Sequence, residues 1–288
     1  MVWQVGAAGA AGALALLARS EYERRNFRVD AYTIETEKIR KRERNFVFLS
    51  DLHNNQFGEG NGRLLAAIGR VEPDAVLIGG DMIVSHGVRE VDTALHLVKA
   101  LAAKYPVYYG NGNHEQRMRR ERRVYGDLYF KYVRALRNAG VTYLSDRSAF
   151  LDDDVRITGY DLNSRYYKKV RVPDMDAEEI RASVGPADGG RFQILLAHSP
   201  LFFDAYSRWG ADLTLSGHYH GGTIRLPWLG GVMTPQYQFF QPVCAGEFEK
   251  NGRRMLVSRG LGTHSVNIRL NNFPELMVVH LVKKERRR

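Results

Sequence analysis

The sequence predicts an α/β fold built around a parallel sheet. Apolar runs of strand type alternate with segments of helical period through the first third of the chain, the pattern that parallel strands with crossover helices require. One of those runs, "DAVLIGG", is a buried strand of the β-branched kind. The 288 residues, 44% hydrophobic and 26% charged, suffice for a sizeable core in one large domain or two small ones.

The elements follow in order. Residues 1–20 open the chain as an Ala/Gly-rich helix in which Gln4 is the only polar residue from Val2 to Ala18, close to the roughly 17 residues a spanning helix needs. No basic residue precedes the run and no clear cleavage site follows it, so a membrane anchor or signal-anchor is expected ahead of a cleaved signal. Arg19, Arg24, Arg25 and Arg28 on its carboxyl side would keep the main domain in the cytoplasm. The alternatives are a buried helix, one lying on the lipid surface, and an exported protein anchored on the outer face.

Residues 21–44 read as a charged connector in which "RVDAYTIETEKI" alternates enough to be a strand. From 45 to 288 a globular domain is expected. "NFVFLS" is a strand, "RLLAAIGR" a helix, "DAVLIGG" a strand, "VDTALHLVKAL" a helix, and "PVYYGNGNHE" a strand running into a Gly/Asn turn. Residues 115–139 form a helical insertion, arginine-rich at first and amphipathic later. The short strands "VTYL", "AFLD" and "VRITGY" follow, then a polar connector, 161–191, with one helix in "DMDAEEIRASV". Strands return in "FQILLAHSP", "ADLTLSGHYH", "GTIRLP", "VCAGEFEKNGRRMLVSRG", "SVNIRL" and "ELMVVHLV".

Charge and cysteine content narrow the chemistry. A net charge of +10 favours anionic partners: phosphate-bearing substrates, acidic lipid head groups or nucleic acid. The single cysteine, Cys244, excludes an internal disulfide and a cysteine-rich zinc site, so any metal must be held by His, Asp, Asn or Glu.

The predicted strands end in such side chains. "FLSDLH" delivers Asp51 and His53, "LIGGD" delivers Asp81, and "YYGNGNHE" delivers Asn113 and His114; later, "LLAHSP" ends in His198 and "LTLSGHYH" in His218 and His220. Ligands of open α/β sheets gather at the carboxyl ends of strands, where sequence-distant residues converge. Carboxylates and imidazoles together suit first-row divalent ions. Period-two spacing in Asp51-x-His53 and His218-x-His220 puts each pair on one face of an extended backbone, with a turn free to fan them. Each piece alone has a plainer reading, as a helix cap, a glycine turn or a surface histidine; the ordered set does not.

That ordered set resembles the calcineurin-like metallophosphoesterase family, through "DLH" (51–53), "GD" (80–81), "GNHE" (112–115), His198 and "GHYH" (217–220). The resemblance covers about residues 45–282. It implies a four-layer sandwich of two mixed β-sheets flanked by helices, with two divalent ions (Mn, Fe or Zn) at the rim. By motif, Asp51, His53 and His220 would bind the first ion, Asp81 would bridge, and Asn113, His198 and His218 would bind the second. "GGTIRLP" and "SRGLGTH" further resemble a membrane-linked bacterial branch that includes a UDP-2,3-diacylglucosamine pyrophosphatase and related phosphodiesterases, which makes lipid A biosynthesis a candidate setting. That branch usually carries Thr where Tyr219 stands, so Tyr219 is a candidate for substrate contact.

The chemistry implied is hydrolysis of a phosphodiester or diphosphate by in-line attack of a metal-bridging hydroxide. His114 is the candidate acid for the leaving oxygen. Glu115 either orients it or is a first-turn helix carboxylate. Arg117 and Arg120, in "EQRMRRERR", are candidate contacts to a diphosphate or lipid head group, with a solvated helix face as the alternative. Apolar residues Trp228, Leu229, Tyr237, Phe239 and Phe240 would meet acyl chains or the bilayer, or pack as loop core. Competing readings are a nuclease or nucleotide phosphodiesterase, for which "SRYYKKVR" (164–171) offers the only aromatic-basic stretch, and a metal-binding scaffold without catalysis.

Overall fold

The computed structural model describes residues 2–169, 171–263 and 267–284, with side chains from residue 9 onward. Its elements run α1 (Val2–Arg25), β1 (Arg28–Thr36), β2 (Arg44–Leu49), α2 (Gly62–Val71), β3 (Ala75–Ile78), α3 (Asp92–Ala102) and β4 (Val107–Gly110). There follow α4 (Asn113–Arg120), α5 (Arg122–Tyr125), α6 (Leu128–Asn138), β5 (Thr142–Leu144), β6 (Arg147–Phe150), β7 (Val155–Tyr160) and α7 (Ala177–Val184). The last are β8 (Phe192–Ala197), α8 (Phe203–Trp209), β9 (Leu213–Ser216), β10 (Arg225–Leu226), β11 (Gly230–Gly231), β12 (Gly246–Lys250), β13 (Arg253–Val257) and β14 (Glu275–Lys283).

Two six-stranded mixed sheets form the centre, in the orders β1-β14-β2-β3-β4-β5 and β12-β13-β9-β8-β7-β6. Strands β2 to β5 run parallel in the first sheet, as do β13, β9, β8 and β7 in the second; antiparallel pairs join β14 to β2, β12 to β13 and β6 to β7. The strand expected in the charged segment 21–44 is β1, which pairs with β14 at the edge of the first sheet.

Strand alternation explains the layers. In β2, Val47 and Leu49 pack with Leu64, Ile68, Leu97 and Leu136 from the helices, while Phe46 and Phe48 face the second sheet. In β8, Ile194 and Leu196 join that inter-sheet core, and Leu195 and Ala197 turn the other way toward Ile180, Tyr206 and Trp209 of α7 and α8. Both faces of these strands are covered, which is why they read as continuous apolar runs. The result is the expected helix–sheet–sheet–helix sandwich.

The chain departs from the sequence reading in three places. Helix α8 was not anticipated: it is only seven residues long, although Pro200 just before it and left-handed Gly210 (φ 116°) at its end are the usual local signals. The insertion expected over 115–139 is three helices and starts at Asn113. The described part of "SVNIRL", residues 267–270, forms no strand. The first two residues of that run lie outside the described ones, and in the remainder the Arg269 amide donates to Ser20 Oγ of α1, with only an isolated bridge from Leu270 to Ile224. Helix α1 is fixed to the body at this carboxyl end, where Glu23 accepts from the Asn271 and Asn272 amides; residues 9–19 are exposed. Among the described residues no helix is long and apolar enough to cross a membrane.

Candidate metal centre

Asp51, His53, Asp81, Asn113, His114, His198, His218 and His220 all follow the carboxyl ends of β2, β3, β4, β8 and β9, and the two sheets bring those ends to one rim. The backbone there is not extended. Asp51 (φ 54°), His53 (48°), Asp81 (52°), His218 (68°) and His220 (50°) are all left-handed, a conformation that costs a residue with a β-carbon on the order of 1–3 kcal/mol. Turns therefore fan each Asp/His and His/His pair, and the surrounding fold enforces them.

Hydrogen bonds between the turns supply that constraint. The Asp51 and His53 amides donate to the carbonyls of Gly80 (2.9 Å) and Asp81 (3.1 Å), and the Gly262 amide donates to the Asp51 carbonyl (2.6 Å). Close approach demands glycine at two of these positions. A β-carbon on Gly80 (φ +91°) would lie 2.0 Å from the Gly112 nitrogen, and one on Gly217 would lie 2.1 Å from Asp51 Oδ2.

Glu115 is the first-turn helix carboxylate of the two expected alternatives and caps α4 through the Gly112 amide, which corrects its other reading as a substrate contact or an orienter of His114. It faces neither substrate nor His114: fully buried, it accepts from the amides of Asp81 (2.9 Å), Met82 (3.0 Å) and Gly112 (3.0 Å) and from the Tyr109 hydroxyl (2.7 Å). Its carboxylate clamps the Asp81 turn to the start of α4. His114 is oriented instead by the Ser85 amide, which donates to Nδ1 at 2.8 Å. That leaves the ring proton on Nε2, 3.9 Å from Asp81 Oδ2.

Three other imidazoles, His198, His218 and His220, are oriented by their second nitrogen, the arrangement that fixes the tautomer of a metal-binding histidine. His198 Nδ1 donates to the Gly79 carbonyl (2.8 Å), leaving Nε2 3.1 Å from Asp81 Oδ2. His220 Nδ1 donates to the Gly262 carbonyl (3.3 Å), leaving Nε2 3.3 Å from Asp51 Oδ1 and 3.1 Å from His53 Nε2. His218 is reversed: Nε2 donates to Gln236 Oε1 (3.2 Å), so Nδ1 holds the lone pair. The Gln236 amide nitrogen is committed to the carbonyls of Tyr166 and Lys168, which turns its oxygen to the histidine.

The donor set fits a divalent metal. Donor atoms of Asp51, His53 and His220 lie within 4.8 Å of one another, as do those of Asp81, His198 and His218, and those of His53, Asp81 and His114. Asn113 Oδ1 is buried without a hydrogen-bond partner, as an oxygen reserved for an ion would be. Two buried carboxylates also demand positive charge. Burial pushes Asp51 up to about 6, against the pull of His198. Burial opposes charge on His198 too, yet Asp81 and Asp51 outweigh it and hold that imidazole up at about 10.

The expected substrate contacts separate. Arg117 Nη1 lies 2.7 Å from His86 Nε2, and the His86 ring stands edge-on to His114 at 5.1 Å. Arg120 is half-exposed and lines a polar cleft with Arg119, Asp146, Asp161 and Gln116. Tyr219 is a second correction: it has no exposed surface, and its hydroxyl donates to Gln238 Oε1, so it packs behind the histidine pair with no face open to a substrate.

Sequence reasoning did not single out His86, Gln236, Arg269 or Tyr167. Arg269 is buried with its guanidinium on the carbonyls of Arg259, Gly260, Gly262 and Asn272, and so holds the loop that orients His220. Tyr167, in a short 3-10 turn (Ser164–Tyr167), sets its ring edge-on to His218 at 5.0 Å. Burial, then Asp81, pushes its phenol well above the usual range. "SRYYKKVR" flags an aromatic pair, but nothing local tells Tyr166, which enters the core, from Tyr167.

The chain is similar to known proteins. The chain is 25% identical over 240 residues to the phosphodiesterase YaeI of Escherichia coli, covering 82% of this chain and 81% of that one. It is 26% identical over 238 residues to the metallophosphoesterase YkuE of Bacillus subtilis, covering 82% and 78%. Similarity to the UDP-2,3-diacylglucosamine pyrophosphatase LpxG of Chlamydia trachomatis is 28% over 159 residues, 51% of this chain and 43% of that protein. The family model for calcineurin-like phosphoesterases matches residues 44–222, from β2 through the turn that carries His218 and His220. This stretch holds the buried acidic and imidazole donors, and the chain accordingly belongs to the calcineurin-like phosphoesterase family, a metal-dependent hydrolase of phosphoric esters.

Proposed function

We propose that the protein hydrolyses a phosphodiester or diphosphate bond using two divalent ions, one held by Asp51, His53 and His220, the other by Asn113, His198 and His218, with Asp81 between them. The observation that carries this reading is the pair of buried triads, each with its donor atoms within 4.8 Å. Their mixed oxygen and nitrogen donors suit Mn, Fe or Zn. When bound, such ions lower the pKa of water and neutralise charge on phosphoryl oxygens. The chain's own residues do the rest. His198 and His220 present Nε2 and His218 presents Nδ1, each fixed by an acceptor behind it. His114 holds a proton on Nε2, directed to the same carboxylate and available to a leaving oxygen. Arg117, through His86, supplies positive charge beside it for a second phosphate.

The proposed substrate is a lipid-linked nucleotide of the UDP-2,3-diacylglucosamine type, met at a membrane surface. The similarity to LpxG supports this, as does the apolar surface near the centre. Trp228 is fully exposed, Leu229 beside it is exposed, and so are Phe239 and Phe240 later in the same loop region. Strand β10, just before Trp228, is bonded to the 267–272 segment on which α1 is anchored, and α1 exposes Leu14, Leu16 and Leu17. With Arg19, Arg24 and Arg25 following, α1 would lie on the membrane and keep the catalytic body on the cytoplasmic side. A nucleic-acid substrate is less well supported, because Tyr166 of "SRYYKKVR" is core and Tyr167 packs on His218.

The test is metal content and turnover. Protein reconstituted with Mn²⁺ should hold two ions per chain and hydrolyse an aryl phosphodiester; less than one ion, or no turnover, overturns the reading. Rates on a UDP-linked acyl sugar should exceed those on the same molecule without its acyl chains, and equal rates would remove the lipid.

A further inference from the structure

Resting on the reading just given, a feature of the rim remains unused. Tyr167 Oη is buried and has no hydrogen-bond partner among the described residues, a condition that is costly for a hydroxyl when nothing relieves it. It shares that condition with Asn113 Oδ1 on the opposite sheet. The Tyr167 ring stands edge-on to His218 (5.0 Å) and tilted to His198 (6.3 Å), so the side chain reaches the two imidazoles that flank Asp81. Its position is rigid. The turn that carries it is capped by Asn163 Oδ1, anchored by the buried Tyr166, and tied through the Tyr166 and Lys168 carbonyls to the Gln236 amide that orients His218. A lone phenol so placed donates a hydrogen bond, since its usual pKa near 10 keeps it protonated at neutral pH.

We propose that Tyr167 is a catalytic residue whose hydroxyl donates a hydrogen bond to a non-bridging oxygen of the phosphoryl group, strengthening as charge builds there in the transition state. No proton is transferred and no covalent bond changes at Tyr167; it acts as a preorganised dipole in a water-poor pocket. Asn113 Oδ1, an acceptor, suits a cation, whereas Tyr167 Oη, a donor, suits an anionic oxygen. The acceptor would thus serve the ion and the donor the substrate.

The experiment uses Tyr167→Phe, which keeps the ring against His218, with Tyr166→Phe as the neighbouring control. Tyr166 spends its hydroxyl on Glu179, away from the rim. Full-length proteins loaded with Mn²⁺ are compared for kcat on an aryl phosphodiester, for calorimetric affinity for inorganic phosphate, for metal content and for thermal midpoint. Tyr167→Phe should lower kcat by about 10²-fold, the usual cost of one such donor, and weaken phosphate binding, with metal content unchanged and the midpoint no lower than in the wild type; Tyr166→Phe should keep its kcat and phosphate affinity. Wild-type kcat and phosphate affinity in Tyr167→Phe would overturn the proposal, as would loss of a metal ion from that variant, which would make the phenol part of ion binding. Wild-type protein that holds metal and turns over, beside a silent Tyr167→Phe, sinks this inference alone. Failure of the wild type to bind metal sinks the phosphoesterase mechanism and this inference together.

Discussion

The first sheet brings Asp51, His53, Asp81, Asn113 and His114 to the rim, whereas the second brings His198, His218 and His220, and the two sets are held by different means. On the first sheet the support is close in sequence: Glu115, next to His114, gathers three backbone amides and a phenol and so locks the Asp81 turn. On the second, support for the histidine pair arrives from later loops. Gln236, 18 residues past His218, sets one tautomer, and the Gly262 carbonyl, held by Arg269, sets the other. The difference follows from the groups supported. Tight turns around carboxylates leave amide donors that need an acceptor, while neutral imidazoles need an acceptor on the nitrogen that does not face the metal.

That contrast can be broken at three strengths. Asp81→Ala removes the carboxylate common to both halves, and turnover of an aryl phosphodiester should fall by about 10³-fold or more, with metal analysis showing less than the full complement. Next, Glu115→Ala strands three buried amides and should cost at least about 3 kcal/mol of stability in urea unfolding, besides lowering activity. A loss below 1 kcal/mol would mean that the turn stands without its clamp. Gln236→Leu should be gentlest. The fold should persist, while calorimetric titration shows divalent metal bound about 10–100-fold more weakly at the His218 side of the centre. An unchanged titration would show that the His218 turn orients its ring unaided.

Legibility in the sequence follows the same division. The strands β2, β3, β4, β8 and β9 were readable because both their faces are buried, so composition and length suffice. Asp51, Asp81 and Asn113 were readable because each follows such a strand directly. For Glu115 the sequence offers two readings, and the structure gives the second: it is a first-turn helix carboxylate that caps α4, and its burial and further donors, which no local pattern records, extend it to a clamp on the Asp81 backbone. Tyr219 was misjudged. A residue between two ligands is near the site in sequence, but the left-handed turns at His218 and His220 send it into the interior. In "SVNIRL" alternation suggested a strand, yet the Arg269 guanidinium finds its acceptors in loop carbonyls, a choice that no local pattern records.

The amino-acid sequence by itself determined the order of strands and helices and the positions of the acidic and imidazole donors at the strand ends, because hydrophobic period and turn chemistry are local properties of the chain. Tertiary structure alone decided which nitrogen of each histidine is offered to the centre, which residues orient the donors, and that Tyr167 rather than Tyr166 stands at the rim. Those outcomes depend on hydrogen-bond partners as far away as the Gly262 carbonyl to His220 and the Gln236 amide to Tyr166, separated by 42 and 70 residues, and partners at such range meet only when the second sheet and the loops that follow its strands have assembled.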